Sequence, residues 1–432
     1  MTLLAPEAEP RTVAPGGRLM LMLFAGRGAF RATIQLAPLV LAVPWGAARF
    51  AEYAGAVGMS MWTVFVASSG EKAALKLVPR TRRLGGGIAR VVLRLAAAPV
   101  VAAAVAFAAA AVLDRGRVLA AALLWCAALG LLQVAVGLHR VRGYLRTDAV
   151  TFAAVTGVLL TLSALTFHFA WPPLWQLNLL AATALTASAV LLWRLPAGWS
   201  LAGRAGRVAG PARRRRTAGL VLRTCALLGL PELLASLCLA VCYLILGLAG
   251  HGTESGPFYI AVTLSGFCSA ALTYLLRLRQ PATSLRLRGP AGRAGRAKAR
   301  RILRFAVLLC LPGLPLVLLL PPGTLLLALL TCLETPLFAL VAYAGYLVEN
   351  TDGRSPRLTA ASATVGLVVV VAAAALLVPH AASSGAMAAL LLSAGVSALS
   401  LDVGLGLGGR WRRPGRTRPP GPGDGAKRHG GT

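Results

Sequence analysis

Hydrophobic and polar positions alternate over long distances along this chain. Apolar stretches of about 20 residues, separated by short polar connections, recur from end to end. An α-helix needs roughly 20 residues to cross about 30 Å of hydrocarbon, so each stretch predicts one membrane-spanning helix. The pattern predicts twelve spans, at residues 20–46, 53–75, 88–113, 118–138, 150–170, 174–194, 218–248, 257–277, 302–320, 323–347, 358–378 and 384–407.

Arg and Lys are concentrated in every second connection. Because connections rich in these residues stay on the cytoplasmic side, we expect both chain termini in the cytoplasm. The basic connection after the sixth span divides the chain into two halves of six spans. The predicted segments are a cytoplasmic N-terminal segment (1–19), an N-terminal bundle (20–194), a basic linker (195–217), a C-terminal bundle (218–407) and a disordered basic tail (408–432).

The two halves have the same predicted orientation, because each contains an even number of spans. Such halves form a parallel repeat, related by a pseudo-two-fold axis along the membrane normal. The fold predicted from the sequence is therefore an all-α polytopic membrane protein with two six-helix bundles.

Composition agrees with a membrane protein and excludes several other classes. The chain is 57% hydrophobic and 13% charged, whereas soluble domains carry roughly 25% charged residues. The net charge of +31 lies in the connections, so it predicts contact with lipid headgroups and not with nucleic acid. The seven cysteines fall in apolar spans without metal-binding spacing, so we expect no metal site. The excess of Arg over Lys, with abundant Ala and Gly, indicates a GC-rich bacterial genome and hence a bacterial plasma membrane.

The first span carries three polar residues, Arg27, Arg31 and Gln35, each four positions from the next. This spacing aligns them on one helical face. Arginine remains charged when partly desolvated and binds phosphate oxygens in a bidentate manner, so the stripe is a candidate substrate site. The alternative is that Arg27 and Arg31 extend along the helix to lipid headgroups.

Two carboxylates lie inside predicted spans, Glu232 after Pro231 and Glu334 near Pro336. Ionisable groups in hydrocarbon are costly and point to function, so both are candidates for coupling transport to a proton or sodium gradient. For Glu232 the alternative is an ion pair with Arg31 that holds the halves together. The sequence contains no P-loop and no nucleophile motif, so we predict no catalytic residue and no cofactor.

Several short stretches resemble bacterial polysaccharide transporters, the oligosaccharide-lipid flippases of the multidrug/oligosaccharidyl-lipid/polysaccharide (MOP) exporter superfamily. These stretches are EYAG at 52–55, SSG at 68–70, GPFY at 256–259, QPATS at 280–284, LVP at 377–379 and SGAMAA at 384–389. The resemblance implies two bundles around a V-shaped cavity lined by spans one, two, seven and eight. It also implies alternating access for a polyprenyl-pyrophosphate-linked glycan, with glycan-assembly enzymes as partners.

Other functions compete with this interpretation. One is a small-molecule or drug antiporter, of the multidrug branch or of the major facilitator type. The connection at 78–83 contains no acidic residue, which disfavours the major facilitator type because that family carries an acid there. A membrane glycan polymerase or ligase is a further alternative, disfavoured because such enzymes need a longer outer loop than any predicted here.

Overall fold

The computed structural model describes residues 17–79, 81, 84–196, 198–199, 211–287, 290–351 and 355–410. These residues form twelve α-helices and two short 3-10 helices, and the described ranges contain no strand. The α-helices are α1 (Gly17–Ser60), α2 (Trp62–Leu77), α3 (Gly85–Leu113), α4 (Arg117–Val141), α5 (Leu145–Phe169), α6 (Pro173–Trp193), α7 (Pro211–Leu248), α8 (Ser255–Arg286), α9 (Pro290–Cys310), α10 (Leu314–Leu319), α11 (Thr324–Glu349) and α12 (Ser355–Arg410). The predicted N-terminal segment up to residue 16, most of the linker (197 and 200–210) and the tail from 411 lie outside the described residues.

The first long apolar run, Leu21–Leu77, folds back on itself. It breaks at Gly46, whose φ of 68° lies in the left-handed region that glycine adopts without strain. Arg27 and Glu71 lie 3.9 Å apart, whereas a straight helix would separate them by roughly 66 Å at 1.5 Å per residue. The run therefore contains two spans, a first arm at 17–45 and a second arm from 47 that continues into α2.

The second long run, Ser355–Leu407, also folds back, at Ala382 with a φ of 44°. Ser393 Oγ donates a hydrogen bond of 2.8 Å to the carbonyl of Gly366 in the other arm. The ten apolar helices found among the described residues thus make twelve passes, as predicted from the hydrophobic pattern.

Most helices extend beyond the predicted spans at one end of the bundle. This end, called the basic end here, is where α1 begins and where the Arg-rich connections lie. The other end, called the opposite end, contains the reversals at Gly46 and Ala382. α7 begins at 211 and not 218, and α9 begins at 290 and not 302. Arginine is a good helix former, so these helices continue past the hydrocarbon.

The two halves, α1–α6 and α7–α12, repeat the same helix packing. In the first half α1 packs on α5, and α4 packs on α2, α3 and α6. In the second half α7 packs on α12, and α11 packs on α8, α9 and α12. These pairs correspond one by one when span one is matched with span seven. The predicted fold, all-α with two pseudo-symmetric six-span bundles, is confirmed.

Each half has its own aromatic core, and the surface around the bundle is apolar. Phe30, Trp125 and Phe152 are buried in the first half, and Phe258 is buried in the second. Val112 and Trp193 are 85% and 87% exposed, as expected of side chains that face lipid. Between the halves, α1 and α2 pack on α7 and α8, so spans one, two, seven and eight form the boundary.

Candidate substrate site between the two halves

Charged side chains from both halves meet near the basic end of this boundary. They are contributed by the basic-end parts of α1, α2, α4, α5, α8 and α11 and by the middle of α7. This interhalf ion cluster consists of Arg27, Glu71, Lys72, Arg140, Asp148, Glu232, Arg277 and Glu349. Its ion pairs join four cations to four carboxylates. Lys76 of α2 lies beside the cluster and donates to the backbone carbonyl of Glu349 at 2.6 Å.

Within the first half, Arg140 and Arg27 both contact Glu71 and Asp148. Arg140 donates through Nε and Nη2 to Asp148 Oδ2, at 3.0 and 2.5 Å, and through Nη1 to Glu71 Oε1 at 3.3 Å. Arg27 lies 3.6 Å from Asp148 and 3.9 Å from Glu71. Its guanidinium also lies over the Phe152 ring, 4.8 Å from the centroid. Arg27 is therefore buried in an ion-pair network. Its side chain does not extend to lipid headgroups, as the alternative from the sequence supposed.

Two residues of the cluster join one half to the other. Arg277 of α8 donates to Glu71 of α2 at 3.1 Å and to Glu232 of α7 at 2.9 Å. The ammonium of Lys72 in α2 lies 3.0 Å from Glu232, 3.1 Å from Glu349 and 3.2 Å from the carbonyl of Leu228. All three Lys72 contacts are to the second half. Removing one member of such a buried group would leave the others uncompensated.

The alternative ion pair between Glu232 and Arg31 is wrong. The Glu232 carboxylate instead contacts Lys72 and Arg277 and accepts a 2.9 Å hydrogen bond from Ser68 Oγ. The physical reason is that α2 packs along α7 and that Arg277 of α8 reaches the same carboxylate. Their cations therefore occupy the positions around the carboxylate.

Arg31 differs from the cations of the cluster, because within the described ranges no carboxylate oxygen lies within 4 Å of it. It is partly buried and close enough to interact electrostatically with Arg27, Arg277, Glu71 and Glu232. Since the four carboxylates of the cluster already pair with its four cations, Arg31 adds a positive charge that no described carboxylate contacts directly.

Gln35 lies one turn beyond Arg31 on the same helical face and is also partly buried. Its Oε1 is buried and accepts no hydrogen bond from any described residue. A buried acceptor without a donor is costly. Two of the three residues of the predicted stripe could therefore bind a ligand. Arg31 offers a guanidinium that is in no ion pair with a described residue, and Gln35 offers a carbonyl oxygen that accepts no hydrogen bond from one.

Glu334 lies apart from the cluster, on α11 inside the second half. It is 6% exposed, and no cation of the described residues lies within 4 Å of it. Ser265 and Cys242 lie beside it, while its Oε2 has no hydrogen-bond partner in the described part of the chain. The two predicted coupling residues therefore have different surroundings, since Glu232 is ion-paired and Glu334 is not.

Most of the cluster was missed by sequence reasoning. Glu71, Lys72 and Arg277 lie within the predicted spans 53–75 and 257–277, and ionisable residues inside a span were the signal that could have found them. Arg140 and Asp148 lie within the predicted connection 139–149, where charged residues are common. Carboxylates are scarce in this chain, with 13 among 432 residues. The adjacent pair Glu71 and Lys72 in an apolar run therefore indicated a buried charged site.

Comparison with known proteins identifies the fold. No protein-family model and no curated protein match the sequence. Among solved structures, the chain is similar to a MOP superfamily transporter from Pyrococcus furiosus, described as having a binding pocket of reversed polarity (12% identity, TM-score 0.57, 90% of this chain and 95% of that chain). It is also similar to a mutant of VcmN, a MATE transporter from Vibrio cholerae (10%, TM-score 0.58, 92% and 96%).

A third similar structure is a multidrug resistance MATE transporter of the MOP superfamily in an outward-facing conformation. It shares 15% identity with this chain at a TM-score of 0.51, over 90% of this chain and 94% of that one. These similarities extend over nearly the whole of each chain at low sequence identity. The chain therefore has the fold of the MATE transporters of the MOP superfamily.

Proposed function

We propose that this protein is a membrane transporter that moves an anionic amphiphile, a lipid-linked saccharide carrying a pyrophosphate, across the bacterial plasma membrane by alternating access. The observation that carries this proposal is the surplus positive charge of Arg31 at the boundary between the halves. The fold supports transport in general, since the similar structures are transporters. On this proposal the basic end faces the cytoplasm, where glycan-assembly enzymes supply the cargo.

The chemistry of Arg31 favours an anion with a lipid tail. A guanidinium without a counter-ion in a water-poor site costs several kcal/mol, and a pyrophosphate would supply the missing negative charge through bidentate hydrogen bonds. The tail would remain in the bilayer beside the boundary. The free acceptor of Gln35 suits a hydroxyl donor, which a saccharide provides.

Binding of farnesyl pyrophosphate to the purified protein tests this site, with farnesol as the uncharged probe. We expect Arg31→Ala to weaken farnesyl pyrophosphate binding roughly 10- to 100-fold, the effect of losing charge-assisted hydrogen bonds. Arg31→Lys should recover only part of the affinity. Arg49→Ala, on the same helix but exposed at the opposite end, is the matched control and should bind like the wild type. Equal affinity of the wild type and Arg31→Ala would refute the site.

A drug exporter is the second candidate, favoured by the similarity to a multidrug resistance MATE transporter. Its cargo would be a small, often cationic molecule, which the positive charge of Arg31 disfavours. Ethidium distinguishes the two: the drug-exporter function predicts tight ethidium binding that farnesyl pyrophosphate does not displace. The three structures compared above lend no support to the major facilitator or glycan polymerase alternatives.

For energy coupling we propose Glu334 as the principal residue, because a buried carboxylate without a cationic partner can exchange a proton or a sodium ion. Glu232 is a weaker candidate, since Lys72 and Arg277 already neutralise it. The test is transport under an imposed proton or sodium gradient, measured for the wild type and for Glu334→Gln. If both proteins respond equally to the gradient, Glu334 does not couple transport to it.

A further inference from the structure

Among the described glycines at the boundary, two lie closest to the opposite half, one on each side. Gly58 of α1 faces the ring of Tyr243 in α7, and Gly229 of α7 faces Ser69 of α2. A methyl group on Gly58 would overlap the Tyr243 ring carbons, and one on Gly229 would overlap Cβ of Ser69. Since packed interiors do not absorb such overlaps, neither position accepts even alanine unless the helices separate locally.

The two contacts lie at different depths of the membrane. Gly58 and Ser69 are eleven residues apart on the second span, which is about 16 Å along a helix. The 58–243 contact is the nearer one to the opposite end, where Tyr259 of α8 meets Phe50 and Tyr53 of α1 with ring centroids 5.9 and 6.2 Å apart.

The 229–69 contact lies nearer the basic end, beside the interhalf ion cluster. Leu228, which precedes Gly229, accepts a hydrogen bond from Lys72 through its carbonyl. Ser68, which precedes Ser69, donates to Glu232. Each glycine contact therefore adjoins a different set of contacts between the halves, aromatic toward the opposite end and ionic toward the basic end.

We propose that the two glycine contacts are separate closures of the transport pathway, with the 58–243 contact closing it toward the opposite end and the 229–69 contact closing it toward the basic end. Two rigid halves that rock about an axis between these contacts separate one contact while the other stays closed. This proposal goes beyond the proposed function, because it concerns the movement of the halves and is independent of the cargo.

Distances between spin labels at each end of the bundle test the proposal. In a cysteine-free background, cysteines at Arg146 and Arg286 report on the basic end, and cysteines at Arg115 and Thr253 report on the opposite end; all four side chains are exposed. We expect Gly229→Leu to lengthen the 146–286 distance by about 5 Å or more and to leave the 115–253 distance unchanged. Gly58→Leu should do the reverse.

Two matched glycines serve as controls. A Cβ atom at Gly219 of α7 or at Gly28 of α1 would meet no atom within 4 Å, so these positions have open space and Gly219→Leu and Gly28→Leu should leave both distances unchanged. If a leucine variant does not fold, the alanine variants keep the test valid. Gly58→Ala should lengthen only the 115–253 distance, and adding Tyr243→Ala should restore it. Gly229→Ala should lengthen only the 146–286 distance, and adding Ser69→Gly should restore it.

Several results would overturn the proposal. One is that a glycine variant lengthens both distances, which would mean that the boundary behaves as one unit. Another is that neither distance changes in any folded variant. A third is that the controls act like Gly58→Leu and Gly229→Leu, or that the compensating substitutions do not restore the distances.

Discussion

At the scale of single residues, charge balance separates structural arginines from a candidate binding arginine. Arg27 and Arg31 are four positions apart on one helix, and their spacing alone predicts the same role for both. Arg27 contacts two carboxylates of its own half, whereas Arg31 contacts none among the described residues. The sequence predicted that Arg31 lies inside the membrane. It could not predict which partners are near, because Glu71 and Asp148 come from other helices.

Glu232 provides a test of these assignments. Its coupling energy with Arg277, measured by a double-mutant cycle of glutamine substitutions, should be about 1–3 kcal/mol, because the two are in direct contact. The cycle between Glu232 and Arg31 should give a smaller coupling energy, because the two interact electrostatically but are not in direct contact. Chemical unfolding of the six proteins, namely wild type, the three single and the two double variants, measures both terms. A larger coupling with Arg31 than with Arg277 would contradict the arrangement of the cluster.

At the scale of helices, the hydrophobic pattern predicted the number of spans but not how they turn. The second span was predicted to begin at 53, because Arg49 and Glu52 make residues 47–52 polar enough for a loop. The structure reverses at the single residue Gly46, and the next helix begins at once. Arg49 and Glu52 are then exposed on the helix at the opposite end. The polar residues 47–52 therefore indicate where the chain leaves the membrane, but they do not indicate where the helix begins.

The reversal at Ala382 predicts a stabilising substitution. Its φ of 44° with ψ of −123° is a conformation that glycine adopts and that strains alanine. Ala382→Gly should raise the free energy of unfolding by about 1 kcal/mol, since relief of strain exceeds the added flexibility of the unfolded chain. Ala381→Gly, one residue earlier, should lower the free energy of unfolding by about 0.5–1 kcal/mol. Chemical unfolding measures both changes, and destabilisation by Ala382→Gly would argue against a strained reversal.

At the scale of the whole molecule, the two halves were predictable and the contacts between them were not. An even number of spans in each half predicts parallel orientation. Spans two and eight agree with it, because Tyr53 meets Tyr259 near their starts and Glu71 meets Arg277 near their ends. The ion cluster joins residues far apart in sequence, with Glu71 and Arg277 separated by 206 positions. Hydropathy and charge report on each helix separately, so they contain no information on which helices are neighbours. The resemblance of short stretches to flippases supplied the expectation that spans one, two, seven and eight meet.

Transport of a fluorescent short-chain polyprenyl pyrophosphate in proteoliposomes tests the central claim most directly. A membrane-impermeant quencher distinguishes lipid in the two leaflets, so movement appears as quenching of lipid that began on the inner side. We predict rapid movement with the wild type and with Arg49→Ala, and movement at the protein-free rate with Arg31→Ala. If Arg31→Ala moves the lipid as fast as the wild type, or if the wild type does not move it, the account of an arginine-dependent transporter of anionic lipids is wrong.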